Sequence, residues 1–115
     1  MVTLSAGSVG LVPFPFSDLS QSKRRPALVP TPVDRGDWIL CQITSNPYGD
    51  NRAIVIQDSD FEKGSLRVTS HARPGKLFTA NQDLLISEVG KLKKDSYKKV
   101  IDQIVRLLKS GLSLR

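Results

Sequence analysis

GSVGLVPFPFSDLSQSKRRPALV, residues 7–29, reads as strand, polar loop, strand, and its loop ends in Lys23-Arg24-Arg25-Pro26. A tight hairpin turn uses Gly, Asn or Asp where the backbone reverses. This loop instead carries three consecutive cations directly before a proline that opens an apolar run. The arrangement fixes positive charge at the mouth of a sheet, where a phosphate can meet it. Val9 to Pro13 forms the first predicted strand, which Pro13 and Pro15 should end or place at an edge, because proline cannot donate to a ladder. Phe14 and Phe16 flank Pro15 on one face. Ala27 to Val29 forms a second strand, expected to be cut off by Pro30 and Pro32.

Working outward, Asp34-Arg35-Gly36-Asp37 reads as a turn and Trp38 to Ser45 as the best-defined strand. Alternation sets Trp38, Leu40, Gln42 and Thr44 on one face and Ile39, Cys41, Ile43 and Ser45 on the other. Asn46 to Asn51 is turn-rich, and Ala53 to Gln57 is a short apolar strand. Asp58 to Gly64 is polar and acidic. Leu66 to Ser70 and Lys76 to Ala80 read as two strands around a loop, Ala72-Arg73-Pro74-Gly75. Leu84 to Val89 fits a strand or a helix. Tyr97, Val100, Ile101, Ile104, Val105 and Leu108 then form one apolar helical stripe, with Asp95 or Ser96 as cap, Lys109 at the C-terminus and Gly111 as stop. Five to seven short strands followed by one amphipathic helix predict a mainly β small barrel, which the helix must cover unless it packs on another subunit.

The chain has 115 residues, a length that suits one domain, 1–115. It holds no apolar run near the ~20 residues of a membrane span, no signal-peptide pattern, and one cysteine, which excludes an internal disulfide. The expectation is a cytoplasmic protein with no membrane partner. Residues 1–90 carry nine Lys/Arg and nine Asp/Glu, whereas residues 91–115 carry eight and two. The whole net charge of +6 therefore belongs to the C-terminal segment, as a solvated helix face or as an attraction for nucleic acid or an acidic protein.

Much chemistry is absent from the sequence. It has no Gly-rich phosphate loop, no paired histidines and no cysteine cluster, so no metal or cofactor is expected. Asp58, Asp60 and Glu62 read as loop solvation, and Cys41 as a small buried hydrophobe. What remains is cations and hydroxyls at strand ends: Arg24 and Arg25, Thr44 and Ser45, and Arg73 before Pro74-Gly75.

At these residues the chain resembles the MazF/PemK family of toxin–antitoxin ribonucleases. The resemblance runs from Gly7-Ser8-Val9 through Arg25-Pro26-Ala27-Leu28-Val29, Cys41-Gln42-Ile43-Thr44 and the segment from Ser70 to Thr79, to Val89-Gly90-Lys91-Leu92 and the terminal helix. It implies an SH3-like β-barrel with a C-terminal helix, of the MazF/CcdB type, and a homodimer. It further implies metal-independent cleavage of single-stranded RNA and neutralisation by an acidic antitoxin. Arg25, Thr44 and Arg73 match catalytic positions. Around them, Phe16, Asp18, Lys23, Arg24, Gln42, Ser45 and His71 are the substrate-binding candidates. The family's acidic positions fall at Ser8 and Gly75 here, which predicts weakened cleavage and leaves the proton acceptor unassigned; His71 is one candidate. Each residue also has a plainer reading: Arg25 paired with Asp18, Thr44 an ordinary strand threonine, Arg73 a loop cation, His71 a packed histidine. The alternatives to a toxin ribonuclease are a relative that binds antitoxin without turnover and a basic barrel that only binds nucleic acid.

Overall fold

The computed structural model describes residues 5–13, 24–85 and 87–113. In chain order the elements are β1 (Ser8–Pro13), β2 (Arg24–Pro32), β3 (Asp37–Thr44), β4 (Ile54–Ile56), β5 (Phe61–Gly64), β6 (Ser70–Asn81), β7 (Ser87–Leu92) and α1 (Lys94–Ser110). The strands form one antiparallel sheet in the order β4-β6-β3-β2-β1-β7-β5. It curls into a half-barrel whose edges are β4 and β5.

Both faces of the central strands carry apolar side chains, as the alternation in β3 predicted. Cys41 and Ile43 join Val9, Leu28 and Ile56 in one core cluster, which α1 covers with Val100 and Ile104. Leu40 joins Val12, Ala27, Val29 and Leu85 in a second cluster on the opposite face. The helix stripe is therefore only partly used. Val100 and Ile104 are buried, while Val105 and Leu108 are exposed.

Three prolines behave differently from expectation. β2 is not cut off at Pro30 and Pro32 but runs to Pro32. Its pairing with β3 jumps from Leu28–Cys41 to Thr31–Ile39, so Val29 and Pro30 face Leu40 alone. A bulge of this kind takes Pro30 out of the ladder, where its missing N–H costs nothing. Likewise, Leu66 to Ser70 and Lys76 to Ala80 are not two strands around a loop. β6 is one twelve-residue strand that contains Arg73, Pro74 and Gly75. Its pairing with β3 jumps from Ile43–Ala72 to Cys41–Leu77, leaving residues 73–76 opposite Gln42. Pro74 lies buried in that bulge, and the Cys41 thiol donates to the Arg73 carbonyl at 3.2 Å.

The acidic stretch from Asp58 forms a short 3-10 turn, Asp58–Asp60, and then β5. β5 escapes a sequence reading because only Phe61 of its four residues is buried. Gly64 has φ +73, and a Cβ there would lie 2.1 Å from the Val89 carbonyl oxygen, so the close approach of β5 to β7 requires glycine. The same turn displaces the expected helix cap. Lys93 is the N-cap residue and supplies no side-chain bond. Ser96 instead donates to Asp60 at 2.7 Å. At the other end Gly111 stays right-handed, with φ −64, and the chain continues into a 3-10 turn. Among the described residues no helix is long and apolar enough to cross a membrane.

Candidate functional site

The β2–β3 ladder ends at Ala27–Gln42, one residue short of Pro26. Pro26 has no N–H to give its neighbour, so the two strand ends part there. A cleft of about 490 Å³ opens at this point. Arg24, Arg25, Thr44, Ser45 and Ser70 supply its polar wall, and Leu11, Ile43 and Leu66 its apolar floor.

Two of the three predicted catalytic residues therefore meet. Arg25 is half-buried, and its Nε is buried with no hydrogen-bond partner among the described residues. An unsatisfied buried donor costs about 1–3 kcal/mol. A bound oxyanion would remove that cost through charge-assisted bonds. Thr44 is buried, at 7% exposure. Its hydroxyl donates to the Asn46 carbonyl at 3.1 Å and accepts from the Asn46 N–H at 3.2 Å. The turn after β3 thus holds the hydroxyl in place at the rim.

Arg73 does not line this cleft. Its Nε donates to Asp50 Oδ2 at 3.0 Å, and a second nitrogen donates to Gln42 Oε1 at 3.4 Å. Its guanidinium carbon also lies 5.8 Å from the centroid of the Tyr48 ring. Burial works against the Asp50 carboxylate, yet the Arg52 backbone N–H and the Arg73 guanidinium outweigh it and hold its pKa below the usual carboxylate range. Arg73 is thus not a loop cation: it sits in a strand bulge, paired with a residue 23 positions away. Sequence reasoning missed Asp50, which it read only as part of a turn, and Ser70, which it placed at a strand end without a role.

The remaining candidates divide as follows. Arg24 and Ser45 are exposed at the cleft mouth. Gln42 is buried beside Arg73. His71 does not line the cleft itself but is half-buried beside it, pairs with Thr44 across β3 and β6, and has a buried Nδ1 with no partner among the described residues. Phe16, Asp18 and Lys23 lie outside the described residues, as does any pairing of Arg25 with Asp18.

Ser8 is remote from the cleft. It begins β1, whereas Arg25 pairs with Val12. Four residue steps along the strand separate Ser8 from Val12, about 13 Å. The buried Ser8 hydroxyl donates to Glu88 Oε2 at 2.5 Å, and Lys63 reaches the other oxygen at 3.2 Å. Burial raises the Glu88 pKa, but these two partners outweigh it and lower it. The serine is therefore part of a β1–β7–β5 tie. Gly75 is exposed in the β6 bulge, where a Cβ would make ordinary contact with Leu107 of α1.

This architecture recurs among solved structures. MazF from Deinococcus radiodurans is 21% identical, with 91% of this chain and 96% of that chain covered, at a TM-score of 0.69. A MazE–MazF structure from the same organism is 19% identical, covering 91% and 95%, at 0.71. A mycobacterial endoribonuclease in complex with its cognate antitoxin is 14% identical, covering 98% of each chain, at 0.69. At these identities the likeness is one of fold. No curated protein matches the chain in sequence. The family model of the PemK-like, MazF-like toxins of type II toxin–antitoxin systems matches residues 5–108, and the chain belongs to that family.

Proposed function

We propose that this toxin is an endoribonuclease that cleaves single-stranded RNA, messenger RNA above all, without a metal. The 2′-OH of the substrate attacks the adjacent phosphorus and leaves a 2′,3′-cyclic phosphate and a 5′-OH. The RNA supplies its own nucleophile, so the protein has to position the phosphate, stabilise charge on its oxygens and move protons. One observation carries the reading. Arg25, with a buried Nε that no group among the described residues satisfies, shares a cleft with Thr44 where β2 and β3 part. The planar guanidinium suits two-point contact with a phosphoryl group, and the threonine hydroxyl adds a donor once it turns from the Asn46 carbonyl. Arg24 and Ser45 at the mouth extend the polar wall toward the flanking nucleotides. Arg73 acts through Gln42 and Asp50, which set the shape of the neighbouring strand end.

The mycobacterial structures of this fold described as endoribonucleases support the reaction class. The structures with antitoxin bound support an antitoxin as the partner of this chain. An acidic antitoxin segment complements the basic C-terminal stretch. A homodimer in the cytoplasm completes the reading.

The test is incubation of purified protein, free of antitoxin, with single-stranded RNA in EDTA. Fragments ending in 2′,3′-cyclic phosphate and 5′-OH are expected. Intact RNA with folded protein would sink the proposal and leave a family member that binds antitoxin or nucleic acid without turnover.

A further inference from the structure

The proposed cleavage needs a group that accepts the 2′-OH proton. Arg25 is not that group, because a guanidinium stays protonated. Among the described residues two side-chain nitrogens are buried without a hydrogen-bond partner, Arg25 Nε and His71 Nδ1. Thr44 adjoins both. Arg25 of β2 lines the cleft with Thr44 of β3, beyond the last β2–β3 pair, Ala27–Gln42. Thr44 in turn pairs with His71 of β6.

Directly opposed residues project to the same face of a sheet. Neighbours along each strand agree with that placement. Ala27 and Leu40, at even spacing from Arg25 and Thr44, belong to the second core cluster. Ala72, adjacent to His71, belongs to the first, on the other face. Thr44 and His71 are therefore direct neighbours on one face, and Arg25 shares the cleft with Thr44. One strand spacing, about 5 Å, separates Thr44 from His71. The described carboxylates with partners here are committed elsewhere: Asp50 to Arg73, and Glu88 to Ser8 and Lys63.

We propose that His71 is the proton-transferring catalytic residue beside Arg25 and Thr44, acting on the ribose 5′ to the cut. The inference rests on the cleavage reading above. The neutral imidazole takes the 2′-OH proton, and the freed electron pair of the 2′-oxygen forms the bond to phosphorus. The bond from phosphorus to the 5′-oxygen breaks with its pair left on that oxygen, which takes a proton from water. The hydroxide so formed takes the proton from the imidazolium and restores the starting state. Arg25 and Thr44 meet the charge that grows on the phosphoryl oxygens.

The experiment compares full-length wild type, His71→Ala, His71→Gln and Asp18→Asn on one labelled single-stranded RNA, with thermal unfolding of each protein. RNA binding is measured on an analogue with a 2′-deoxy sugar at the cut. Both His71 variants should cleave about 10²–10⁴-fold more slowly, bind the analogue as wild type does, and melt near the wild-type temperature. Added imidazole should restore cleavage to His71→Ala. If His71→Ala does not fold, His71→Gln decides. Wild-type cleavage by a folded His71→Gln overturns the proposal, as does loss of cleavage that tracks loss of analogue binding without imidazole rescue. Asp18→Asn losing cleavage while His71→Gln keeps it moves proton transfer to Asp18. A wild-type protein that leaves RNA intact overturns the cleavage reading itself, whereas active wild type beside active His71→Gln overturns His71 alone.

Discussion

Arg25 and Arg73 carry the same charge, are both half-buried, and sit at strand irregularities of one sheet, yet their surroundings differ. Arg73 is consumed by Asp50, Gln42 and the Tyr48 ring. Arg25 keeps a buried Nε that nothing among the described residues satisfies. An arginine whose donors are spent on its own fold supports that fold, and one that keeps an unpaired buried donor has it to offer a substrate. The family pattern alone puts both in the catalytic set, and only their partners separate them.

The largest expected effect breaks the comparison most directly. Arg25→Ala should lower RNA cleavage by about 10³-fold, the range seen when a preorganised donor to a developing oxyanion is removed. Its unfolding midpoint should not fall, because Nε makes no hydrogen bond among the described residues. Initial rates and urea unfolding on the same preparation check both halves. Arg73→Ala should do the reverse. It leaves Asp50 without its ion partner and should destabilise the protein by about 1–3 kcal/mol. Cleavage per folded molecule should stay within a few-fold of wild type. If Arg73→Ala matches the cleavage loss of Arg25→Ala at undiminished stability, the two arginines act together at the substrate and the distinction fails.

The smallest effect sharpens the same contrast through pH. Asp50 has a folded pKa below its unfolded value. Its contribution is complete above the unfolded carboxylate pKa, about 3.9, and is lost as pH falls through the lower folded value. Wild-type stability should therefore drop on acidification below about pH 4. In Arg73→Ala that drop should be shallower, since only Arg52 remains to favour the Asp50 carboxylate. Glu88 titrates in both proteins and cancels in the difference. Equal acid slopes for the two proteins would show that Arg73 does not hold Asp50 in solution.

Much of the fold was legible in local pattern. The alternation from Trp38 to Thr44 correctly assigned both faces of β3. The stripe through Val100 and Ile104 correctly identified the covering helix. Patterns failed where an element depends on what lies opposite it. Pro30 and Pro74 read as strand breakers, but bulges against Leu40 and Gln42 excuse them from the ladder. FEKG looks like loop because an edge strand buries one residue and leaves the rest to solvent. Ser96 looked like a helix cap until Asp60 claimed its hydroxyl.

The site divides in the same way. The run Lys23-Arg24-Arg25-Pro26 and the strand-ending Thr44 were visible as charge and hydroxyl at strand ends, and Ser8 was visible as a departure from the family pattern. Yet Ser8 lies far along β1 from Arg25 and belongs to a tie with Glu88, so its relation to the cleft could not be read from its position in the motif.

By itself, the sequence determined the class of fold, the neutral barrel with a basic C-terminal segment, and the set of side chains that chemistry could use. Local periodicity, proline placement and charge suffice for those. Only the tertiary structure decided which of those side chains are already spent. The partner of Arg73 is 23 residues away and that of Ser8 is 80. Arg25, Thr44 and His71 come from three strands, brought near one another by a cleft and by the β3–β6 register. Hydrogen-bond satisfaction is a property of neighbours in space, and neighbours in space are what a chain acquires only by folding.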